Sequence, residues 1–305
     1  MIRFATIDEL SSLRLLFKEC FDVEFFSPYG SFYITNIFSD YLPLVYIYNN
    51  KIVSMLTLIP VNFKEFSGFY IWALGTLKDC RNKNIASKML DFVFEYSKKS
   101  NIDFNILIPQ NKDLYNFYFN RGFKKYIKQK MILIDKKSLL RYVEASDKVL
   151  DFNKTDSIFN LKEYRKKNYN TIDFISWEEK ELIKIQKEIT LPGSENYILD
   201  FKDGQYAILD LREIKNNKIK IREFYIFDFN FGSFLKTLLD KYFFCEFFEF
   251  LLPVSDKYYN FFDLDKEKYV LKNTAMLRII DDKLDNELFD SFDSNEIYFN
   301  FGFDT

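Results

Sequence analysis

The chain has 305 residues, a formal net charge of −2, 48% hydrophobic residues, three cysteines and no histidine. That length suits two domains with cores of their own, and so small a charge offers no broad field for nucleic acid or an anionic membrane. Without histidine, Ser-His-Asp and Cys-His triads are excluded and zinc loses its commonest ligand, so proton transfer falls to Tyr, Asp, Glu, Lys, Cys, a terminus or water.

Residues 2–5 are predicted to form a short first strand. Thr6 and Glu9 then have capping-box spacing ahead of Leu10, Leu13, Phe17 and Phe21, which share one helical face. Residues 28–38 suit a second, shorter helix. Residues 44–48 and 52–62 read as a hairpin around Asn49-Asn50, because two Asn tolerate positive φ. Residues 69–77 form a buried apolar strand that runs into the basic turn Arg81-Asn82-Lys83-Asn84-Ile85-Ala86-Ser87.

Ile85, Met89, Phe92, Val93 and Tyr96 mark the next helix, whose polar face carries Lys88, Asp91, Glu95 and Lys99. Residues 104–108 make a strand stopped by Pro109, and a helix over 112–121 ends at Gly122, where a left-handed cap is needed. Residues 123–134 supply one or two closing strands. Alternating strands and helices of these lengths indicate an α/β or α+β fold with a mixed sheet. Residues 1–135 are read as the first domain, 136–150 as a charged linker and 151–305 as the second.

The second half repeats the first. Ile108-Pro109 and Tyr115-Asn116-Phe117-Tyr118 have counterparts in Leu252-Pro253 and Tyr259-Asn260-Phe261-Phe262, and Asn84-Ile85-Ala86-Ser87 in Asn230-Phe231-Gly232-Ser233. This alignment places Phe227, Asp228 and Phe229 opposite Arg81, Asn82 and Lys83, Phe262 opposite Tyr118 and Ser255 opposite Asn111. The second copy is expected to keep the fold and to have lost the chemistry.

A turn that presents backbone N–H groups at a helix N-terminus, flanked by cations, is a place to hold phosphate. Asn111, Leu114, Tyr118, Gly122 and Phe123 follow at relative positions 0, 3, 7, 11 and 12. With these two motifs in this order the chain resembles the GNAT acyl-CoA N-acyltransferases, whose turn is Arg/Gln-x-x-Gly-x-Gly/Ala and whose later helix reads Asn-x-x-Ala/Leu-x-x-x-Tyr-x-x-x-Gly-Phe. The whole is similar in plan to the first two domains of enhanced-intracellular-survival type acetyltransferases, a tandem pair of GNAT-like domains with a degenerate second copy. Those relatives carry a sterol-carrier-like third domain, for which residues 281–305 are too short.

The resemblance implies acetyl-CoA as acyl-donor substrate, no metal, and direct transfer to a primary amine on a small molecule or peptide. Arg81, Asn82, Lys83, Asn84, Ile85, Ala86 and Ser87 would hold its pyrophosphate. Asn84 replaces the first family glycine; Asn is the side chain that best tolerates left-handed geometry. Backbone groups of Leu74, Gly75 and Thr76 would pair with the pantetheine arm, with one N–H facing the developing oxyanion, and Asn111 would reach the same arm or simply cap its helix. Tyr118 would be the general acid for the departing thiolate. The base stays open among Asp22, Glu24, the carboxylate of Thr305 and water.

Cys20, Cys80 and Cys245 are far apart and odd in number, which suits a reducing cytosol, and Arg3, Asp8, Glu9 and Arg14 argue against a secretory leader. The apolar run near Trp72 is too short to cross a bilayer, so a cytoplasmic protein with no membrane or nucleic-acid partner is expected. Self-association stays open. Two rival readings are a non-catalytic acyl-CoA- or protein-binding module and a Fem-type aminoacyl transferase; the second needs a cationic surface for RNA, which a charge of −2 does not supply. Acidic lining of the acceptor pocket would favour a polycationic acceptor.

Overall fold

The computed structural model describes residues 1–23, 27–144, 147–154, 161, 163, 165, 174–191, 194–201, 203–254, 262, 269–280 and 298–299. The first half runs β1 (Ile2–Phe4), α1 (Leu10–Phe21), α2 (Pro28–Phe32), β2 (Leu44–Tyr48), β3 (Lys51–Phe63), β4 (Phe66–Thr76), α3 (Ile85–Lys99), β5 (Phe104–Leu107), α4 (Lys112–Phe119) and β6 (Lys125–Asp135). Local chemistry sets these boundaries. Thr6 and Glu9 form their capping box, Asn49 and Asn50 turn the β2–β3 hairpin at φ 49° and 59°, and Gly122 has φ 87°. A π-helical turn, Tyr33–Phe38, prolongs α2. Segment 136–150 is not only a linker: α5 (Lys136–Leu139) opens it, capped by Asp135, whose side chain accepts from the Ser138 N–H.

The second half holds β7 (Asn153–Lys154), β8 (Phe174–Trp177), α6 (Glu179–Ile189), β9 (Asn196–Asp200), β10 (Tyr206–Asp210), β11 (Lys218–Tyr225), α7 (Phe231–Lys241), β12 (Phe247–Pro253), β13 (Tyr269–Ile279) and β14 (Tyr298–Phe299). Residues 151–229, to which the periodicity above assigns no element, carry β7–β11 and α6. The repeat is visible as matching units: β4 pairs in parallel with β5 around α3, and β11 pairs in parallel with β12 around α7. Ser255 and Tyr259-Asn260-Phe261 lie outside the described residues, whereas Phe262 is fully buried.

The repeat differs from the expected alignment at one informative place. Cys80 N–H bonds to Leu77 O at 2.9 Å, and Asn230 N–H bonds to Phe227 O at 2.8 Å, so the two short 3₁₀ turns correspond. In the second half that turn, Asp228–Asn230, runs directly into α7. In the first half Arg81, Asn82, Lys83 and Asn84 intervene before α3. The second copy has therefore lost the four-residue turn outright, and Phe227, Asp228 and Phe229 are not replacements within it.

All strands but β8 and β14 lie along one path, β1-β2-β3-β4-β5-β13-β6-β12-β11-β10-β9-β7. The halves exchange their last strands across its centre. β13 pairs antiparallel with β5, Phe104 facing Ile279, and β6 pairs antiparallel with β12, Ile134 facing Phe248. β6 and β13 pair with each other, Tyr269 facing Ile132 and Leu277 facing Lys125.

Alternation along the strands separates two faces. Ile219, Ile221, Phe248, Phe250 and Leu252 pack with Phe234, Leu235 and Leu238 of α7 on one face. Leu107 and Met276 pack under α3 and Tyr118. Tyr206, Ile208, Ile106 and Leu277 meet Leu13, Phe17, Leu182 and Ile185 in a core shared by α1 and α6. Alternate residues of β10, Ala207 and Leu209, belong to the α7 core, so α1 and α6 cover the face opposite α7. No helix among the described residues is long and apolar enough to cross a membrane.

Candidate active site

The basic turn stands at the N-terminus of α3. Asn82 and Asn84 both sit in the left-handed region, at φ 62° and 57°, a conformation Asn accepts at less cost than other side chains. The first intrahelical bond runs from the Lys88 N–H to Asn84 O at 3.1 Å, which leaves the N–H groups of Ile85, Ala86 and Ser87 in the unpaired first turn. Residues 81–84 are exposed and Ile85 is buried. Arg81 turns back to donate to Thr76 O at 3.1 Å, and Lys83 donates to Asp79 O at 3.1 Å with its ammonium 5.4 Å from the Tyr48 ring.

A further cation stands at this helix end. Arg121 donates from Nε to Ser87 Oγ at 3.0 Å, with a second bond from its terminal nitrogen, and its guanidinium lies 3.7 Å from the Phe117 ring. Sequence reading missed it. Its only sequence signal is a place directly before Gly122, one turn beyond Phe117.

β4 and β5 pair only from Gly68–Phe104 to Tyr70–Ile106 and then part. Beyond that point β4 bulges: Met55 faces Gly75 and Thr57 faces Trp72, so Leu56 alone opposes Ala73 and Leu74. Ala73 takes φ 54°, which nothing in its residue type announces. Gly75 packs against α1, since a Cβ there would come within 2.8 Å of Cys20 Cβ, and its carbonyl accepts from Ser54 Oγ at 2.7 Å.

A cavity of about 850 Å³ occupies the gap. Leu74, Asn111 and Tyr118 line it together with Trp72, Ala73, Phe17 and Phe21. Gly75 and Thr76, at the end of β4, and residues 81–87, the turn and the start of α3, do not. Asn111 caps α4, its Oδ1 accepting from the Leu114 N–H at 3.2 Å. Tyr118 is 7% exposed, held edge-on between Phe117 and Phe123, and its hydroxyl has no hydrogen-bond partner among the described residues. Burial pushes its phenol up to about 12, against the opposing pull of Arg121.

No carboxylate is among the described residues lining the cavity. Asp22 is the exposed left-handed C-cap of α1, next to Phe21 of the lining but itself outside it, while Glu24 and Thr305 fall outside the described residues. The far wall comes from the second half: Met131 of β6, Lys220 and Arg222 of β11, Leu251 of β12 and residues 270–274 of β13. Sequence reading missed these as well, although Lys218, Lys220 and Arg222 alternate with Ile219 and Ile221 as a strand with one cationic face would.

Residues 1–125 match the family model of the acetyltransferase (GNAT) domain. No curated protein matches the chain. Among solved structures, a conserved Enterococcus faecalis protein described as a probable N-acyltransferase has TM-score 0.71 at 13% identity, with 92% of this chain and 72% of that chain covered. Eis1 of Mycobacterium abscessus has TM-score 0.64 at 11% identity, covering 92% and 74%. A tandem GNAT protein of the clavulanic acid biosynthesis pathway has TM-score 0.51 at 9% identity, covering 92% and 98%. At these identities the likeness is one of fold. It supports the resemblance to Eis-like, tandem proteins: one large mixed sheet flanked by helices.

Proposed function

From the acetyltransferase (GNAT) domain at residues 1–125, we propose that the chain is an acyl-CoA-dependent N-acyltransferase that moves a short acyl group, acetyl in the simplest case, to a primary amine. One juxtaposition supports this most. An unpaired helix N-terminus with three nearby cations, Arg81, Lys83 and Arg121, adjoins a slot whose wall carries a phenol with no hydrogen-bond partner among the described residues. The first element suits the diphosphate of coenzyme A, and the second suits its sulfur. The β4 bulge at Ala73 and Leu74 supplies backbone dipoles beside the slot, where an oxyanion would be stabilised.

Tyr118 acts as general acid in this reading. A phenol near 12 would protonate an ordinary thiolate, of pKa about 8.5, only uphill. The slot changes that comparison, because burial drives a thiolate in the same direction. Cys20, packed on Gly75, is itself pushed up to about 11 by burial. Desolvation of a sulfur in the slot would likewise narrow its gap to Tyr118, so the proton passes at less cost than in water. With no carboxylate among the described lining residues, the amine proton leaves through water in this reading.

Calorimetry with acetyl-CoA, followed by thiol release with a panel of amines, tests the proposal. Binding with turnover supports it. Binding without any release would favour the rival reading, a non-catalytic acyl-CoA module, which the lack of a carboxylate among the described lining residues supports.

A further inference from the structure

The cavity is lopsided in charge. Its charged lining residues are Lys112, Lys220, Arg222 and Lys272, with no acid among the described ones, in a chain of 43 Lys+Arg against 45 Asp+Glu. The asymmetry is therefore local to this wall. Ile219 and Ile221 face α7, so Lys220 and Arg222 project to the opposite face, the side of Phe17 and Trp72. Leu251 and Met131 alternate in the same way with Phe250 and Ile132 and complete the wall.

The carboxylates nearby are already engaged. Glu249 receives Lys218 at 3.0 Å and stands 3.9 Å from Lys220, and Asp210 is gripped by Arg212, with its Oδ2 2.6 Å from a guanidinium nitrogen. Arg222 donates to Asn196 Oδ1 at 3.4 Å. After burial itself, the largest influences lowering the Lys220 pKa are Arg222 and Lys272, ahead of the opposing pull of Glu249 and Asp210. At Lys220, burial apart, the neighbouring cations outweigh the neighbouring carboxylates.

We propose that the acyl acceptor is an amine that also carries an anionic group, a carboxylate or a phosphate, held by Lys220 and Lys272 at the second-half wall of the cavity. This rests on the N-acyltransferase reading and narrows its substrate class. A cationic wall disfavours polycationic acceptors by like-charge repulsion, the reverse of what an acidic pocket would select. It also favours the neutral form of the attacking amine, which lessens the need for a base that the described lining does not provide. The anionic handle offsets the repulsion and orients the nucleophile. In the step, the amine nitrogen bonds to the thioester carbonyl carbon, the carbon–sulfur bond breaks, the sulfur takes the Tyr118 proton, and the proton lost from nitrogen returns through water to the phenolate. An amide and a free thiol result.

The test uses the full chain and begins with acetyl-CoA calorimetry. Thiol release is then measured for β-alanine against β-alaninamide, for O-phosphoethanolamine against ethanolamine, and for spermidine. The expected result is kcat/KM higher by about tenfold or more for the charged member of at least one pair, with the pair showing which anion is preferred. Lys220→Ala and Lys272→Glu should erase that preference while acetyl-CoA affinity holds; Lys272 is exposed, so its variant folds even if the other does not. Equal rates within both pairs, a preference for spermidine, or no anionic amine turned over by protein that binds acetyl-CoA would overturn the proposal. Failure to bind acetyl-CoA would remove the N-acyltransferase reading beneath it.

Discussion

Arg121 joins the two parts of the site: its Nε lies 3.0 Å from Ser87 Oγ, and its terminal nitrogen donates to Phe117 O at 2.7 Å. The helix that carries Tyr118 is thereby tied to the first turn of α3, the end proposed to hold the diphosphate. In the proposed reading, seating the donor and placing the phenol are mechanically linked.

Replacement of that guanidinium should therefore be felt twice. Arg121→Ala is expected to weaken acetyl-CoA about tenfold, as loss of one charge-assisted contact would, and to lower kcat as well. Arg121→Lys keeps the charge but not the fork, and should restore affinity more than turnover. Isothermal titration and steady-state kinetics separate the two effects.

Tyr118→Phe should cut kcat by about 10²–10⁴ with acetyl-CoA affinity largely kept. The pH profile is a sharper check. With its phenol near 12, Tyr118 stays protonated throughout neutral and moderately alkaline pH, so kcat of the parent should not decline between pH 7 and 10. A falling limb with a midpoint below 10 would assign the acid to another group.

Asn84, at φ 57°, should accept glycine and reject a β-branched side chain. Asn84→Gly is expected to retain or improve acetyl-CoA binding. Asn84→Val should lose about 1–2 kcal/mol in the turn and bind roughly tenfold more weakly. Calorimetry on both variants decides it; equal affinities would mean that turn conformation does not govern binding.

Glu181 offers a stability test away from the cavity. Burial pushes its carboxyl up to about 7, against the weaker pull of Lys184, which is itself paired with Asp40. The folded chain thus holds this proton more tightly than the unfolded one. Its contribution is complete below pH ~4.5 and declines as pH rises toward 7. Glu181→Gln should gain about 1 kcal/mol over the parent at pH 8 and nothing at pH 4, read from urea midpoints.

Residues 1–135 alone should not fold well. Without β13 and β12, the strand β5 loses one partner and β6 loses both. The expected fragment is aggregated, or lacks a cooperative thermal transition, by size-exclusion and near-ultraviolet dichroism. A monomeric fragment that melts sharply would show that the exchange is dispensable.

Much of the first half was legible because its signals are local. The Thr6–Glu9 box, the Asn49-Asn50 hairpin and the Gly122 cap each depend on residues a few positions apart. The strand exchange was not. Hydrophobic periodicity says which face of β6 is buried and nothing about which edge it meets, so β12 and β13 could not be named as its neighbours. Within the site, the unpaired turn and Tyr118 follow from motif spacing. Ala73 does not, since the register of β3 against β4 decides its conformation. Lys220 and Lys272 reach the cavity only because β11 and β13 are brought to it by pairings absent from any local pattern.

That exchange also imposes an order on biogenesis. Phe104 cannot meet Ile279 until synthesis has passed the second half, so the amino-terminal sheet must wait on the ribosome with an open seam beside its slot. Pulse-labelled nascent chains arrested before residue 269 should therefore be chaperone-bound and protease-sensitive, and those released beyond 280 resistant.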